Sequence, residues 1–233
     1  MIVINRIRPL LIACFVIVGV VSCKKAVTSP TPIPTLRSNS AHHILILGNS
    51  ITYAPTDPSI GWNGSWGMAA SAVDKDYVHL LTARFKASNN NTTVVAVNIA
   101  AFETGFDIYD FDTNLKTYRD AKPDAIIIRI GENVTRNNDA DLFEKKYMDL
   151  LAYLRTGNPD VKMLAVGSVW PDRDLANRVM GKYSDYITLI SLQQSSSNFA
   201  YGLYNNYGIQ THPSDKGMLS ISDMIWAKIV TML

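Results

Sequence analysis

Short apolar runs that alternate with amphipathic segments are the feature that most limits how this 233-residue chain can fold. Each run is rich in Ile, Val and Leu, as buried strands of a parallel sheet are, whereas the segments between them carry apolar residues at helical spacing. This alternation predicts an α/β protein with a parallel sheet covered by helices on both faces. The predicted strands are 44–47, 93–99, 125–130, 161–169 and 186–192, and the predicted helices are 74–87, 106–121, 139–155, 172–184 and 218–232.

The first 22 residues have the layout of an export signal. Arg6 and Arg8 precede an apolar run, residues 10–21, that is too short to span a bilayer as a helix. The run ends in Val-Val-Ser-Cys, which resembles the lipobox of bacterial lipoproteins. We therefore expect Cys23 to be lipidated and to anchor the protein in the bacterial cell envelope, on the periplasmic or cell-surface side. An ordinary signal peptide with an incidental cysteine is the alternative.

Residues 23–40 are rich in Pro, Ser and Thr and predict an extended tether, which leaves 41–233 as one domain with a sizeable core. Without the two signal arginines, 20 basic residues face 20 acidic ones. Because a nucleic-acid binder is expected to show a basic excess, this balance argues against nucleic acid as a partner. Cys14 lies in the signal, so we expect no disulfide, and the two cysteines form no metal motif.

Ser50 follows the first predicted strand, where Gly48 and Asn49 indicate a tight turn that tolerates positive φ. In open α/β sheets, ligands bind beyond the carboxyl ends of the strands. A serine hydroxyl held there is a candidate nucleophile if a base lies nearby. Serines after strands also cap helices, and this stretch alone does not separate the two interpretations.

The loop after this serine carries two tryptophans, Trp62 and Trp66, among glycines. Loops at this edge of a sheet often carry specificity, and flat ligands such as sugars pack against aromatic faces. Both tryptophans are therefore candidate substrate-binding residues. The alternative is that one or both cover the core beneath the loop.

Three further segments bring chemical groups to the same edge: the loop at Ala100, the end of strand 125–130 at Asn133, and His212 before the last helix. Histidine suits the role of base because its pKa lies near neutrality. The oxyanion of acyl transfer needs preorganised donors, each worth about 2.7–4 kcal/mol. We expect the backbone N–H groups of Ser50 and Ala100 and the side-chain amide of Asn133 to supply them.

These residues resemble the sequence blocks of the SGNH/GDSL hydrolase superfamily over nearly the whole domain. The segments similar to blocks one, two, three and five are Gly48-Asn49-Ser50, Asn98-Ile99-Ala100, Gly131-Glu132-Asn133 and His212-Pro213, in that order. The resemblance implies a three-layer α/β/α sandwich with a flavodoxin-like five-stranded parallel sheet. It also implies ester hydrolysis, with Ser50 as nucleophile and His212 as base. The chain has no G-x-S-x-G sequence, which argues against the α/β-hydrolase alternative.

Three positions depart from the family's pattern. Asn49 replaces the usual aspartate beside the nucleophile, and Ala100 stands where glycine is usual, with its backbone N–H retained. The family places an aspartate three residues before the histidine, and that position is Ile209 here. Without the acid, the imidazole loses the partner that fixes its tautomer and orientation. We predict that a backbone carbonyl orients His212 instead. Gln210 and Asp215 are the alternatives, although Asp215 lies beyond Pro213 and is better placed to cap the last helix.

The leading hypothesis is an exported serine esterase that removes acyl groups from carbohydrates without a cofactor and meets the membrane only through its lipid anchor. The missing aspartate motivates an alternative from another class, a non-catalytic glycan-binding lipoprotein. A third hypothesis pairs Glu103 with Glu132 as the carboxylates of a glycosidase, but it leaves the serine and histidine without a role. In the leading hypothesis Asn49, Glu103 and Glu132 are candidate substrate-binding residues, although Glu103 also fits a solvated loop charge.

Overall fold

The computed structural model describes residue 35 and residues 40–135 and 137–233. The predicted signal peptide (1–22), the predicted lipidation site Cys23 and nearly all of the predicted tether lie outside the described residues. Among the residues that are described, no helix has the length and apolar character needed to span a bilayer.

Five parallel strands form one sheet in the order β2-β1-β3-β4-β5, which is the flavodoxin-like order and confirms the predicted fold class. The first four strands end in register, because Gly48 pairs with Asn98 and Arg129, and Arg129 pairs with Val166. The loops that follow these strands therefore leave the sheet along one edge. The strands are β1 (His43–Gly48), β2 (Thr93–Asn98), β3 (Ala125–Arg129), β4 (Lys162–Val166) and β5 (Asp185–Ile187).

Helices cover both faces of the sheet and complete the predicted three layers. Helices α1 and α7 pack on one face, and α3, α4 and α5 pack on the other. Alternate residues of β1 enter the two cores, with Ile44 and Ile46 on the α1/α7 side and Leu45 and Leu47 on the opposite side. The described helices are α1 (Tyr77–Ser88), α2 (Ala100–Thr104), α3 (Phe111–Asp120), α4 (Ala140–Arg155), α5 (Asp174–Tyr183), α6 (Tyr207–Gln210) and α7 (Asp215–Ile229).

Two helix boundaries are set by capping side chains. The Asp110 carboxylate accepts hydrogen bonds from the N–H groups of Asp112 at 2.9 Å and Thr113 at 3.2 Å, so α3 begins at Phe111 and not at residue 106 as predicted. At the last helix, Ser214 caps α7 by accepting from the Gly217 N–H at 3.3 Å.

Three other sequence-based expectations are wrong: for the segment after β2, for β2 itself and for the end of the fifth strand. The segment after β2, predicted as a loop, forms the short helix α2. β2 is an edge strand on which Val95 is 45% exposed, so it is not buried on both faces. The fifth strand ends at Ile187, and Ile190–Gln194 is a 3-10 helix.

Candidate active site

A sharp turn after β1 presents Ser50 at the carboxyl edge of the sheet. Gly48 is required there for close approach and not for positive φ, because a Cβ at this position would lie 1.8 Å from Thr52 Oγ1. The Asn49 carbonyl accepts from the N–H groups of Thr52 at 2.9 Å and Tyr53 at 3.0 Å, which closes the turn. Ser50 is left half-buried beyond the end of the strand.

The structure brings Ser50 and His212, 162 positions apart in sequence, into hydrogen-bond contact, with Ser50 Oγ 2.8 Å from His212 Nε2. The other ring nitrogen, Nδ1, lies 2.8 Å from the carbonyl oxygen of Gly208. Because a carbonyl only accepts, Nδ1 must carry the proton, and the neutral ring then offers the Nε2 lone pair to the serine hydroxyl. This is the geometry of a nucleophile, a base and a group that orients the base.

The short helix α6 holds the Gly208 carbonyl in place. The Asn206 side chain caps this helix by accepting from the Ile209 N–H at 3.3 Å. Carbonyls in the last turn of a helix lack partners within the helix, so the Gly208 oxygen is available to the imidazole and to Thr211 Oγ1, which donates to it at 2.8 Å. The His212 N–H in turn donates to the Ile209 carbonyl at 3.0 Å. His212 and the carbonyl that orients its ring are therefore held by the same turn of backbone.

The side chains of Ile209 and Gln210, which precede His212 in the sequence, make other contacts and do not orient the imidazole. Ile209, where the family has aspartate, is 1% exposed and packs in a small apolar cluster with Trp62. Gln210 does not orient the ring, because its amide donates to the Tyr204 carbonyl and its oxygen accepts from the Gly202 N–H. Asp215 does not orient the ring either, because its carboxylate accepts from the Ser71 N–H at 2.7 Å and the Ser71 hydroxyl at 2.6 Å. The alternatives are therefore wrong, and a backbone carbonyl occupies the orienting position as predicted.

Burial sets the protonation state of this histidine. His212 is 6% exposed, and burial lowers its pKa to about 4, although the Gly208 carbonyl and the carboxylate of Glu132 act to raise it. The ring is consequently neutral at physiological pH and able to accept a proton.

A buried polar network lies directly beneath the nucleophile, centred on Asn49. Its Nδ2 donates to Glu132 Oε2 at 2.6 Å and to Glu103 Oε1 at 3.3 Å. Its Oδ1 accepts from the Ile51 N–H and from Arg129 Nη1, both at 3.2 Å. Both polar atoms of this amide are thus in use, and an aspartate here would lack the two donated bonds. This explains why asparagine stands beside the nucleophile.

Arg129, the last residue of β3, supplies the positive charge in the network. Its Nη2 lies 2.6 Å from Glu132 Oε1, and both side chains are buried. Burial alone would raise the pKa of Glu132, but the Arg129 guanidinium and the hydrogen bonds from Asn49 and the Val169 N–H lower it. Burial and the nearby Glu132 carboxylate raise the pKa of Glu103.

This burial overturns three predicted substrate contacts. The side chains of Asn49, Glu103 and Glu132 are at most 1% exposed, so they present no surface to a ligand. They support the site from below instead. The glycosidase hypothesis is contradicted for the same reason, because both carboxylates lie in the interior and are already hydrogen-bonded.

Of the three predicted oxyanion donors, two keep an N–H group without a hydrogen-bond acceptor in the described part of the chain. Within the described part of the chain, the Ser50 N–H makes no hydrogen bond. One N–H of the Asn133 amide donates to Glu103 Oε2 at 2.8 Å, which fixes the group and leaves its second N–H for a ligand. The Ala100 N–H already donates to Asn98 Oδ1 at 2.8 Å, so the prediction of a free donor there is wrong.

The two tryptophans of the long loop differ in exposure. Trp62 is 2% exposed, contacts Ile209 and Trp66, and donates through Nε1 to the Ala54 carbonyl at 3.2 Å. It is a core residue, and its predicted role in substrate binding is wrong. Trp66 is half-buried, and its Nε1 donates to the Ala70 carbonyl at 2.8 Å.

Sequence reasoning missed one important group and left the position of another unassigned. Arg129 stands inside an apolar strand, and a charge in such a run signals a buried partner, here Glu132 three residues on. A backbone carbonyl was predicted to orient His212, but the residue that supplies it, Gly208, was not, because a backbone carbonyl leaves no side-chain signal in the sequence.

No protein-family model matches the sequence, and no curated protein matches it. The structure is similar to a two-domain esterase active on acetylated mannans, at 17% identity and a TM-score of 0.52, over 82% of this chain and 49% of that one. It is also similar to a Parabacteroides merdae protein described as a GDSL-like lipase, at 14% identity and a TM-score of 0.53, over 86% and 100% of the two chains.

A third similar structure is a family-two carbohydrate esterase of Clostridium thermocellum in complex with cellohexaose, at 17% identity and a TM-score of 0.50, over 86% of this chain and 66% of that one. The described domain thus has the fold of the SGNH/GDSL hydrolases. This chain spans about half the length of the mannan esterase.

The network gives a first prediction, for Asn49→Asp. The substitution removes two donated hydrogen bonds and places a carboxylate against Glu103 and Glu132, so we expect the free energy of unfolding to fall by about 3–5 kcal/mol. Urea denaturation at neutral pH measures the change. Asn205→Asp, at an exposed position, is the matched control and should change stability by no more than about 0.5 kcal/mol. Equal stability of the two variants would contradict the assigned hydrogen bonds.

A second prediction concerns the position of the family's aspartate. Ile209→Asp puts a carboxyl group into the apolar cluster around Trp62, and we expect it to lower the free energy of unfolding by about 3 kcal/mol or more. Ile108→Asp, at a position 82% exposed, is the control and should be nearly neutral. An Ile209→Asp variant as stable as the wild type would mean that this side chain reaches the imidazole after all.

Proposed function

We propose that this chain is a serine ester hydrolase that acts through a Ser50–His212 dyad oriented by the Gly208 carbonyl. The single observation that carries the proposal is the continuous contact from Ser50 Oγ through the imidazole to the carbonyl oxygen, each step being 2.8 Å. The fold supports it, because similar structures include esterases and a GDSL-like lipase.

The reaction follows from the positions of these groups. Ser50 Oγ attacks the ester carbonyl carbon while its proton passes to His212 Nε2. The oxyanion accepts hydrogen bonds from the Ser50 N–H and the free N–H of Asn133. The imidazolium then protonates the departing alkoxide, which leaves an acyl-enzyme. Water, deprotonated by the same nitrogen, releases the acid and restores the serine.

A carbonyl stabilises the imidazolium less than a carboxylate does, because it carries only a partial negative charge. Of the buried charges nearby, the Glu132 carboxylate acts to raise the pKa of His212 and the Arg129 guanidinium acts to lower it, so they affect the imidazolium in opposite directions. The Gly208 carbonyl stands where the ring needs an acceptor, which supports a catalytic dyad over the non-catalytic alternative.

The substrate class is part of the proposal. Two of the similar structures are an esterase active on acetylated mannans and a carbohydrate esterase in complex with cellohexaose, which support an acylated carbohydrate as the substrate. The export signal and lipobox support a place in the bacterial cell envelope, with the domain held there by lipid on Cys23.

A fluorophosphonate probe tests the nucleophile. We expect covalent labelling of Ser50 in the wild type, none in Ser50→Ala, and labelling at least about 10³-fold slower in His212→Ala, because the base is lost. Ser65→Ala, exposed in the neighbouring loop, is the control and should label like the wild type. A folded wild-type protein that remains unlabelled would contradict the proposal and favour the non-catalytic glycan-binding hypothesis.

The lowered pKa of His212 predicts the pH dependence of kcat/KM. Proton binding to Nε2 removes the base, so activity on 4-nitrophenyl acetate should be constant from about pH 8 down to about pH 6 and fall only as the pH approaches about 4. Near-ultraviolet circular dichroism checks that the fold persists across this range. An acid limb centred at an ordinary histidine pKa, about 6.5, would contradict the assigned environment.

A further inference from the structure

An open cleft of about 640 Å³ lies beside the Ser50–His212 site. Its volume falls in the range of about 300–1,000 Å³ that is typical of small-molecule sites. Four of the residues that line it are aromatic, and they come from two loops and the helix α6, which sequence analysis did not connect with substrate: Trp170, Phe199, Tyr201 and Tyr207.

The cleft lies beside the His212 imidazole, because one of its lining residues contacts that ring. The Trp170 ring meets the His212 ring edge-to-face with centroids 5.4 Å apart, and its Nε1 donates to the Thr211 carbonyl at 2.8 Å. On the other side, the Ala200 N–H donates to the His212 carbonyl at 2.9 Å. These contacts place the cleft beside His212, with Trp170 between the cleft and the imidazole.

Two aromatic rings of the cleft face solvent. Tyr201 is 45% exposed and Tyr207 is 71% exposed. Within residues 40–135 and 137–233, neither phenol hydroxyl makes a hydrogen bond, so both polar tips are available to a ligand. The Tyr201 ring packs on Phe199, with centroids 5.6 Å apart, and keeps its exposed side toward solvent. Trp62, in contrast, is sealed in the core. Exposed aromatic residues that cluster beside a reactive site indicate a ligand-binding surface.

Polar groups stand among these rings. Arg173 donates through Nε to the Glu132 carbonyl at 2.6 Å and through Nη1 to two neighbouring backbone carbonyls, so its side chain is fixed. In the described part of the chain, Arg173 Nη2 has no hydrogen-bond acceptor. The Gln193 amide also lines the cleft. Aromatic faces interspersed with fixed donors suit a ligand that is apolar on its ring faces and hydroxylated at its rim.

We propose that this cleft is the saccharide subsite of the enzyme, where sugar rings pack on Tyr201 and Tyr207 while the acylated sugar reaches Ser50. The inference builds on the proposed function, from which it takes the acylated carbohydrate as substrate. Trp170 forms the boundary between the subsite and the reacting ester, because it contacts the imidazole on one side and lines the cleft on the other. A long acyl chain would instead require a uniformly apolar groove.

The direct test measures binding without turnover. In the Ser50→Ala protein, mannopentaose and cellohexaose are titrated by calorimetry and by NMR. We expect at least one probe to bind, and Tyr201→Ala with Tyr207→Ala to weaken that binding about tenfold or more, because the stacking surface is lost. The corresponding Tyr→Phe pair keeps the rings and should bind within about threefold of the parent. If the Ala pair is unstable, the Phe pair still tests the proposal. It removes only the hydroxyls, so loss of binding in the Phe pair would contradict ring stacking.

Leu203→Ala is the matched control for disturbance of the loop. Leu203 is 68% exposed in the same segment but does not line the cleft, so its truncation should leave saccharide binding within about twofold. Failure of both probes to bind at millimolar concentration, or equal binding by the Ala pair and its parent, would overturn the subsite.

Turnover separates this inference from the proposed function. If the wild type hydrolyses 4-nitrophenyl acetate but the Ala pair binds saccharide normally, the subsite is wrong and the esterase stands. If saccharide binding depends on the two tyrosines but the wild type hydrolyses no ester, the subsite stands as a binding site and the esterase is wrong. On an acetylated form of the saccharide that binds, the subsite predicts that the Ala pair raises KM more than it lowers kcat.

Discussion

The hydrogen bond from His212 Nδ1 to the Gly208 carbonyl is the interaction on which the chemistry of this site depends. It places the ring proton on the side away from Ser50 and leaves the lone pair of Nε2 facing the hydroxyl. Its geometry comes from the backbone of α6, whose Ile209 is buried in the apolar cluster under Trp62. The isoleucine that replaces an aspartate therefore helps to hold the carbonyl that does the orienting.

Beneath this dyad, a buried ion pair and hydrogen bonds hold the edge of the sheet together with apolar packing. Arg129, Glu132 and Asn49 connect the ends of β3 and β1, and Glu103 extends the network to Asn133. A buried network of this kind becomes costly when a member loses its partner, so it restricts which residue can stand beside the nucleophile. The same network also fixes the Asn133 amide, the proposed oxyanion donor, through Glu103.

Much of this arrangement follows from sequence alone. Apolar runs ending in Gly48-Asn49 and Gly131-Glu132 predicted parallel strands whose carboxyl ends meet, and hence the proximity of Ser50, Asn133 and His212. Exposure was not predictable in the same way. Glu103 and Glu132 look like surface carboxylates in sequence but are buried, and Trp62 looks like a binding residue but is core. A backbone carbonyl such as that of Gly208 leaves no mark in the residue types at all.

The most direct test of this account is the tautomer of His212 in solution. Nitrogen-15 NMR of histidine-labelled protein distinguishes a protonated from an unprotonated ring nitrogen, and comparison with His212→Gln assigns the signal among the four histidines of the chain. The account predicts a neutral ring at neutral pH, with the proton on Nδ1 and none on Nε2. A proton on Nε2, or a doubly protonated ring at that pH, would contradict it.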